Sequence, residues 1–164
     1  MLAPGTQITI GAAETKPIQD IAVRDKVWAA GLGLDWKPAV IMMSTGIGPG
    51  PEITAIYVQT DDQNELLGAA RQVVLTTKGF ATMDRLSPDF ELVRADGQAV
   101  RIVAVTLGKS RLGEHTLATE TQPMTDPEGH LIIANGFVVG DYALSINLPR
   151  PSFELPTIPG GETV

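Results

Sequence analysis

The sequence predicts an all-β fold, and three observations support this prediction. Seventeen glycines and twelve prolines among 164 residues leave few windows in which a helix could continue uninterrupted. Short runs rich in β-branched and aromatic residues lie between them, and such residues favour strands. The dipeptides Asp96-Gly97, Glu128-Gly129 and Asn135-Gly136 supply the positive φ angles that tight hairpins require.

About ten short strands are expected from these runs. Residues 101–106 are apolar on both faces at their middle, which is typical of a central strand buried on both sides. A single helical turn is expected at residues 82–86, because Pro88 ends it. The predicted strands span residues 7–10, 26–29, 39–43, 53–59, 72–75, 91–94, 100–107, 115–119, 131–133 and 137–139.

Composition predicts one soluble domain over residues 1–148. Hydrophobic residues make up 43% of the chain and charged residues 19%, and no apolar run approaches the roughly 20 residues that cross a bilayer. The first residues have no cationic start, so no signal peptide is expected and a cytoplasmic location is favoured. The formal charge of −7 repels phosphate backbones, which argues against nucleic acid as a partner.

Residues 149–164 are predicted to form a proline-rich extended tail. Proline removes backbone donors and stiffens the chain towards polyproline II, so this segment is not expected to join the sheet. Apolar side chains stand between the prolines and predict a strip that docks on another protein. This strip comprises Pro149, Phe153, Leu155 and Ile158.

Three stretches, taken in order, resemble the conserved blocks of Hint domains, the family of inteins and Hedgehog autoprocessing domains. Residues 1–8, MLAPGTQI, resemble the opening Cys-Leu-Ala-x-Gly-Thr-x-Ile. Residues 72–80 resemble the region that normally begins Thr-x-x-His, and residues 130–139, HLIIANGFVV, resemble the closing His-x-Phe-x-Ala-Asn-Gly-Ile-x-Val. The resemblance covers residues 1–141. It implies a flattened horseshoe of about ten to twelve short strands, with Met1 and Asp141 close together at its middle.

The positions that match the family's reactive residues carry other side chains. Splicing begins when a Cys or Ser at the first position attacks the preceding carbonyl, and the thioether of Met1 has no proton to lose. Ala69 and Gln72 match the Thr and His of the middle block, and an amide cannot deliver a proton near neutral pH. At the far end, Gly140, Asp141 and Tyr142 replace the His, Asn and Cys, Ser or Thr that release and accept the chain.

The structural half of the family pattern is retained. Gly5 and Gly136, with Asn135 beside Gly136, are expected to allow backbone geometries that other residues tolerate poorly. Thr6 is expected to make a hydrogen bond within a turn. His130 is interpreted as a satisfied residue at a strand edge rather than a leftover acid.

The remaining polar residues do not predict a second site. His115 follows Glu114, which could hold its ring, and Ser44 and Thr45 are interpreted as turn residues. Cysteine is absent and histidine occurs twice, so neither a metal site nor any cofactor is expected.

Three functions are compatible with the sequence. The first is a Hint domain that is not an enzyme and serves as a structural or protein-interaction module. The second is residual self-cleavage at Asp141-Tyr142, helped by His130. The third discards the family in favour of an unrelated β-barrel or sandwich, such as a virion structural protein.

Overall fold

The chain folds as an open array of antiparallel strands. The computed structural model describes residues 1–120 and 126–147, so the predicted tail lies outside the described residues. Two turns of 3-10 helix, Ile18–Asp20 and Met83–Arg85, interrupt the strands. The strands are β1 (Gln7–Gly11), β2 (Glu14–Pro17), β3 (Lys26–Ala30), β4 (Lys37–Val40), β5 (Met43–Ile47), β6 (Ile53–Thr60), β7 (Glu65–Gly68), β8 (Val73–Thr76), β9 (Gly79–Thr82), β10 (Glu91–Val93), β11 (Ala99–Ser110), β12 (Glu114–Ala118), β13 (Leu131–Ala134) and β14 (Phe137–Gly140), and a helix, α1 (Tyr142–Asn147), follows them.

The strand order places the two ends of the described chain next to each other. The main sheet runs β2-β1-β13-β14-β8-β10-β11-β6-β7, with β3 and β4 added at β13 and β9 at β8, while β12 and β5 form a separate pair. The first strand therefore pairs with β13, and β14 pairs with β8. This topology confirms the all-β prediction and brings the first, middle and last sequence blocks together.

Two hydrophobic clusters hold the strands. The larger one combines residues of the main sheet, such as Ile8, Val58 and Phe137, with Leu117 of β12. The smaller one lies under α1. Its buried members are Val73, Leu75, Val93, Leu131, Val138 and Leu144. In the part of the chain that the structure describes, no helix is long and apolar enough to cross a bilayer.

The hairpin between β13 and β14 has the predicted turn. Asn135 and Gly136 both have positive φ, +51° and +85°, as a two-residue type I′ turn requires. The Asn135 side chain accepts from Gln7 N at 2.8 Å and donates to Glu65 O at 2.9 Å. The Asn64 amide donates to Asn135 O at 2.6 Å. The turn is thus tied to the turn between β6 and β7 and to β1.

The predicted strand at residues 39–43 is wrong in its extent, and so is the assignment of Ser44 and Thr45 to a turn. The segment is divided between β4 and β5. The chain bends at Ile41, whose buried side chain belongs to the core and whose backbone pairs with Arg24 and Asp25. A pattern of alternating apolar residues does not reveal such a bend, because the side chains on either side of it remain apolar.

The prediction that residues 101–106, now part of β11, are buried on both faces is also wrong. Val100 and Ile102 face the core, whereas Val103 is 45% exposed and Leu107 is 70% exposed. The outer half of β11, residues 104–110, forms an antiparallel pair with β6. Among the described residues, one face of this part of β11 remains open to solvent.

The structure contains more strands than the ten to twelve expected. The described residues form fourteen, and the additional ones include β2, β7 and β9, each four residues long. Their sequences are short and carry polar residues or glycine, so their strand geometry comes from pairing with β1, β6 and β8 rather than from their own propensity. The six-residue helix α1 was not predicted, because one and a half turns give no periodic signal.

Candidate functional site

The side-chain amide of Gln72 joins the first residue of the chain to the end of β14. Its Oε1 accepts from the Met1 nitrogen at 2.6 Å, and its Nε2 donates to Gly140 O at 2.9 Å and to Val73 O at 2.8 Å. Gln72 is 2% exposed, so these hydrogen bonds are shielded from water. Met1, Gln72 and Gly140, three of the predicted site residues, therefore meet at one buried point.

The backbone around Met1 is held on both sides. Met1 O accepts from Ala69 N at 2.9 Å, and Leu2 exchanges two backbone hydrogen bonds with His115. Burial lowers the pKa of the Met1 α-amino group to about 5, and the nearby Glu114 carboxylate opposes this shift. The uncharged amine that results at neutral pH still has protons to donate to Gln72. Ala69 thus holds Met1 through its backbone nitrogen. The side chain of Met1 has no hydroxyl or thiol that could act as a nucleophile.

Asp141 lies at the centre of a second buried group of hydrogen bonds. Thr119 Oγ1 lies 3.1 Å from Asp141 Oδ2, but its one proton has a closer acceptor in Gly129 O at 2.7 Å. The Asp141 carboxylate accepts from Thr119 N and from Leu144 N, both at 2.9 Å. The last of these caps the first turn of α1. The Asp141 side chain is fully covered by protein, and its backbone nitrogen donates to His130 O at 2.9 Å. Both carboxylate oxygens are therefore occupied.

His130 is a buried partner of Asp141 and not the strand-edge residue that the sequence predicts. Its Nδ1 lies 3.1 Å from Asp141 Oδ2, and the residue is 5% exposed. The hydrogen bond to Asp141 raises the pKa of His130, and the negative charges of Asp141, Glu120 and Asp126 act in the same direction, while burial lowers it. The register of the Asn135-Gly136 hairpin pairs Leu131 with Gly140 and so brings His130 opposite Asp141, a signal that could have located the pair from the sequence.

No family model matches the sequence, and no curated protein matches it either. Solved structures do match. A bacterial intein-like domain from Clostridium thermocellum superposes with a TM-score of 0.69 at 13% identity, covering 85% of this chain and 96% of that one. A DnaB intein from Synechocystis sp. PCC 6803 gives 0.65 at 18% identity, covering 85% and 96%. The MchDnaB-1 intein gives 0.65 at 20% identity, covering 86% and 100%.

The chain has the Hint fold. The interpretation as an unrelated β-barrel or sandwich is therefore wrong. Met1 and Asp141 lie close together, as the resemblance implies. Gln72 bridges Met1 to Gly140, the residue that precedes Asp141.

The residues after Asp141 are part of the hydrophobic core of this domain. Tyr142 begins α1, and Leu144 is completely buried in the smaller cluster. A Cβ atom at Gly140 would lie 2.6 Å from Leu144 Cδ2 and 3.2 Å from Val73 Cβ. The helix therefore packs directly against the bare backbone of Gly140.

The retained turn residues at the start of the Hint fold shape the backbone. Gly5 has a φ of +90°, a conformation that favours glycine. Thr6 Oγ1 donates to Ala3 O at 2.7 Å. These contacts fix the path of the chain between Met1 and β1.

Ser44 and His115 form a pair that the sequence did not predict. Ser44 Oγ donates to Ile21 O at 2.5 Å and lies 2.8 Å from His115 Nε2. The single hydroxyl proton goes to Ile21, so Nε2 must be the donor to Ser44. Burial lowers the pKa of His115, and the Met1 amino group adds to this effect only when it is protonated. The pair connects β5, β12 and the loop at Ile21.

Within residues 1–120 and 126–147, no cluster of three or more His, Asp or Glu residues could hold a metal ion.

The His130–Asp141 pair predicts a pH-dependent contribution to stability. A histidine whose pKa is raised by folding contributes stability that is complete below its unfolded pKa of 6.5 and is lost as the pH rises through the folded pKa. We expect His130→Gln to lower the free energy of unfolding more at about pH 5.5 than at about pH 8.5. Urea unfolding at both pH values measures this difference, and an equal loss at both would contradict it. The exposed Gln98→Ala serves as a control that should be neutral at both.

Proposed function

We propose that this chain is a Hint domain that has lost its self-cleaving chemistry and acts as a structural or protein-interaction module. One observation supports the proposal above all others. The position where the family carries its nucleophile is held by hydrogen bonds at the meeting point of the strands, yet the side chain there is a methionine. A thioether cannot accept an acyl group and yield a neutral product, so the first step has no nucleophile.

The surroundings of Gly140 and Asp141 support the same proposal. Release at the far end needs a side chain that is free to attack its own main-chain carbonyl. The Asp141 carboxylate instead accepts hydrogen bonds from Thr119 and Leu144, and Asp141 O accepts from Ser145 N and Ser145 Oγ, both at 3.2 Å. Cleavage at Asp141-Tyr142 would have to break the cap of α1, so we rank residual self-cleavage second.

An interaction module without catalytic activity acts by binding a partner. We propose that the partner of this domain is another protein. The proposed contact is the proline-rich tail with Pro149, Phe153, Leu155 and Ile158, which lies outside the described residues. The net charge of −7 supports a protein rather than a nucleic acid as the partner.

Intact-mass measurement of the full chain during long incubation at neutral pH tests the loss of chemistry. We expect one species of unchanged mass. A fragment that ends at Asp141 would establish residual self-cleavage and overturn the proposal. Acid scission at Asp126-Pro127 and succinimide formation at Asn135-Gly136 give other masses, so ordinary chemical ageing is distinguished from it.

A further inference from the structure

The outer side of the β3–β4 pair exposes cationic and apolar side chains together. Lys26 stands opposite Val40, and Trp28 stands opposite Pro38, and residues that oppose each other in antiparallel strands project from the same side of the sheet. Lys26 and Val40 are exposed and Trp28 is partly buried, whereas the alternate residues of β3 are buried. This side of the pair therefore faces solvent.

The exposed surface continues through the bend between β4 and β5. Ile41 is buried, but Val40 and Met42 on either side of it are 38% and 50% exposed. Arg24 N donates to Ile41 O at 2.8 Å, so exposed Arg24 lies beside these residues. We call this surface the β3–β4 face, and it comprises Arg24, Lys26, Trp28, Val40 and Met42.

The two cations of the β3–β4 face pair with no carboxylate in the part of the chain that the structure describes. Asp25 stands between them in sequence, but its carboxylate already binds Lys16 Nζ at 3.4 Å and Ala22 N at 2.9 Å. The formal charge of the chain is −7, so Arg24 and Lys26 form a local positive region on an acidic protein. Such a region attracts a carboxylate from another molecule.

Arg24 has a backbone conformation that glycine adopts more easily. Its φ is +80°, a value at which a Cβ atom is unfavourable. Strained residues of this kind cluster at functional sites. A guanidinium also binds a carboxylate through two parallel hydrogen bonds, which an ammonium group cannot do. An arginine at this position therefore indicates a role for its charge.

Trp28 and Met42 supply the apolar part of the surface. Tryptophan, methionine and arginine are enriched in protein interfaces, and tryptophan and arginine contribute most to binding energy. Side chains two residues apart on a strand lie about 7 Å apart on one side, so Lys26 and Trp28 match an extended ligand with an acidic and an apolar residue at the same spacing. Pro38 removes a backbone donor from β4, which disfavours addition of a further strand at this edge. The ligand is therefore expected on the side chains of the face.

We propose that the β3–β4 face binds an extended acidic segment of another protein, in which an apolar residue follows an acidic one by two positions. The acidic group contacts Arg24 or Lys26, and the apolar group packs on Trp28 and Met42. The inference deepens the proposed function, on which it rests only in that the domain acts by binding a protein. It does not depend on whether self-cleavage has been lost.

Fluorine NMR of the full chain labelled with 5-fluorotryptophan, titrated with a peptide of three Asp-Ser-Leu-Ser repeats, tests the proposal. The chain contains two tryptophans. Trp28 reports the β3–β4 face, and Trp36, whose Nε1 donates to Ala95 O at 2.8 Å, is the internal reference. We expect the peptide to shift the Trp28 resonance and not that of Trp36. Peptides of Asn-Ser-Leu-Ser or Asp-Ser-Ser-Ser repeats lack the charge or the apolar group and should bind about fivefold more weakly.

Two variants separate binding from folding. Arg24→Gly should weaken binding about threefold but keep the free energy of unfolding near that of the wild type, because relief of the positive φ offsets the added freedom of the unfolded chain. Arg24→Gln with Lys26→Gln should weaken binding about fivefold. The matched control, Arg85→Gln with Lys109→Gln, removes the same charges from other exposed positions and should leave binding unchanged.

Several outcomes would overturn the proposal. A Trp28 resonance that the Asp-Ser-Leu-Ser peptide does not move, or equal binding of the three peptides, would show that the face does not recognise such a segment. A wild-type Trp28 resonance that changes with protein concentration would make a second copy of the chain the occupant. A response to vesicles of anionic lipid without a response to the peptide would make a membrane the occupant. Intact-mass measurement reads self-cleavage separately, so failure here is distinct from failure of the proposed function.

Discussion

Asp141→Ala should destabilise the protein by about 3–5 kcal/mol, because it removes one partner of a buried pair and leaves the other without compensation. The carboxylate accepts from Thr119 N and Leu144 N and pairs with His130. Its loss leaves the Thr119 and Leu144 amides without acceptors in a site closed to water. Helix α1 also loses its cap, which contributes about 1 kcal/mol.

Urea unfolding of the full chain near pH 6, where His130 carries charge, measures this loss. Asp141→Asn keeps the shape and one acceptor oxygen, so we expect it to retain part of the stability. Asp89→Ala removes an exposed carboxylate and should change the free energy of unfolding by less than about 0.5 kcal/mol. An Asp141→Ala protein as stable as the Asp89→Ala control would contradict the proposed arrangement.

Gln72→Leu should cost about 2–4 kcal/mol, because it deletes three buried hydrogen bonds and leaves their partners unsatisfied. The partners are the Met1 nitrogen and the carbonyls of Gly140 and Val73. Leucine has a similar volume, so the loss reports the amide rather than a cavity. The effect should be largest on hydrogen exchange of Ala69 and Asp141, whose amides donate to Met1 O and His130 O.

A second substitution separates polarity from hydrogen bonding at this position. Gln72→Glu keeps the length but turns an oxygen towards the carbonyl oxygens of Gly140 and Val73, so it should destabilise the chain at neutral pH at least as much as Gln72→Leu. Gln59→Ala, at an exposed position of β6, is the control. Near-native stability of Gln72→Glu would mean that the amide does not hold the two chain segments together.

The sequence predicts the fold well where local chemistry determines it. The Asn135-Gly136 turn requires positive φ at both residues, and few other dipeptides tolerate that conformation, so the hairpin could be located without a structure. The same holds for the strands on either side of it, in which every residue is buried. Short polar strands such as β2 could not be located, because their geometry comes from their neighbours.

The candidate site was predictable only in part. The block resemblance places Met1, Gln72 and Gly140 in one region, and the structure brings them together through the Gln72 amide. It gives no indication that Asp141 caps a helix, since the cap depends on the chain continuing into α1. The contact of Asp141 with His130 depends instead on the register of the β13–β14 hairpin. The Ser44–His115 contact likewise arises only from the register of β5 with β12.

The loss of the nucleophile at residue 1 is tested most directly by joining a reporter protein to the nitrogen of Met1 in the full chain. Hydroxylamine cleaves an acyl group that has moved to a side chain, so a competent domain would release the reporter. We expect the fusion to stay intact and to behave as its Met1→Ala counterpart does. Release of the reporter from the Met1 fusion, and not from the Met1→Ala fusion, would show that residue 1 still accepts an acyl group and would contradict the proposed loss of chemistry.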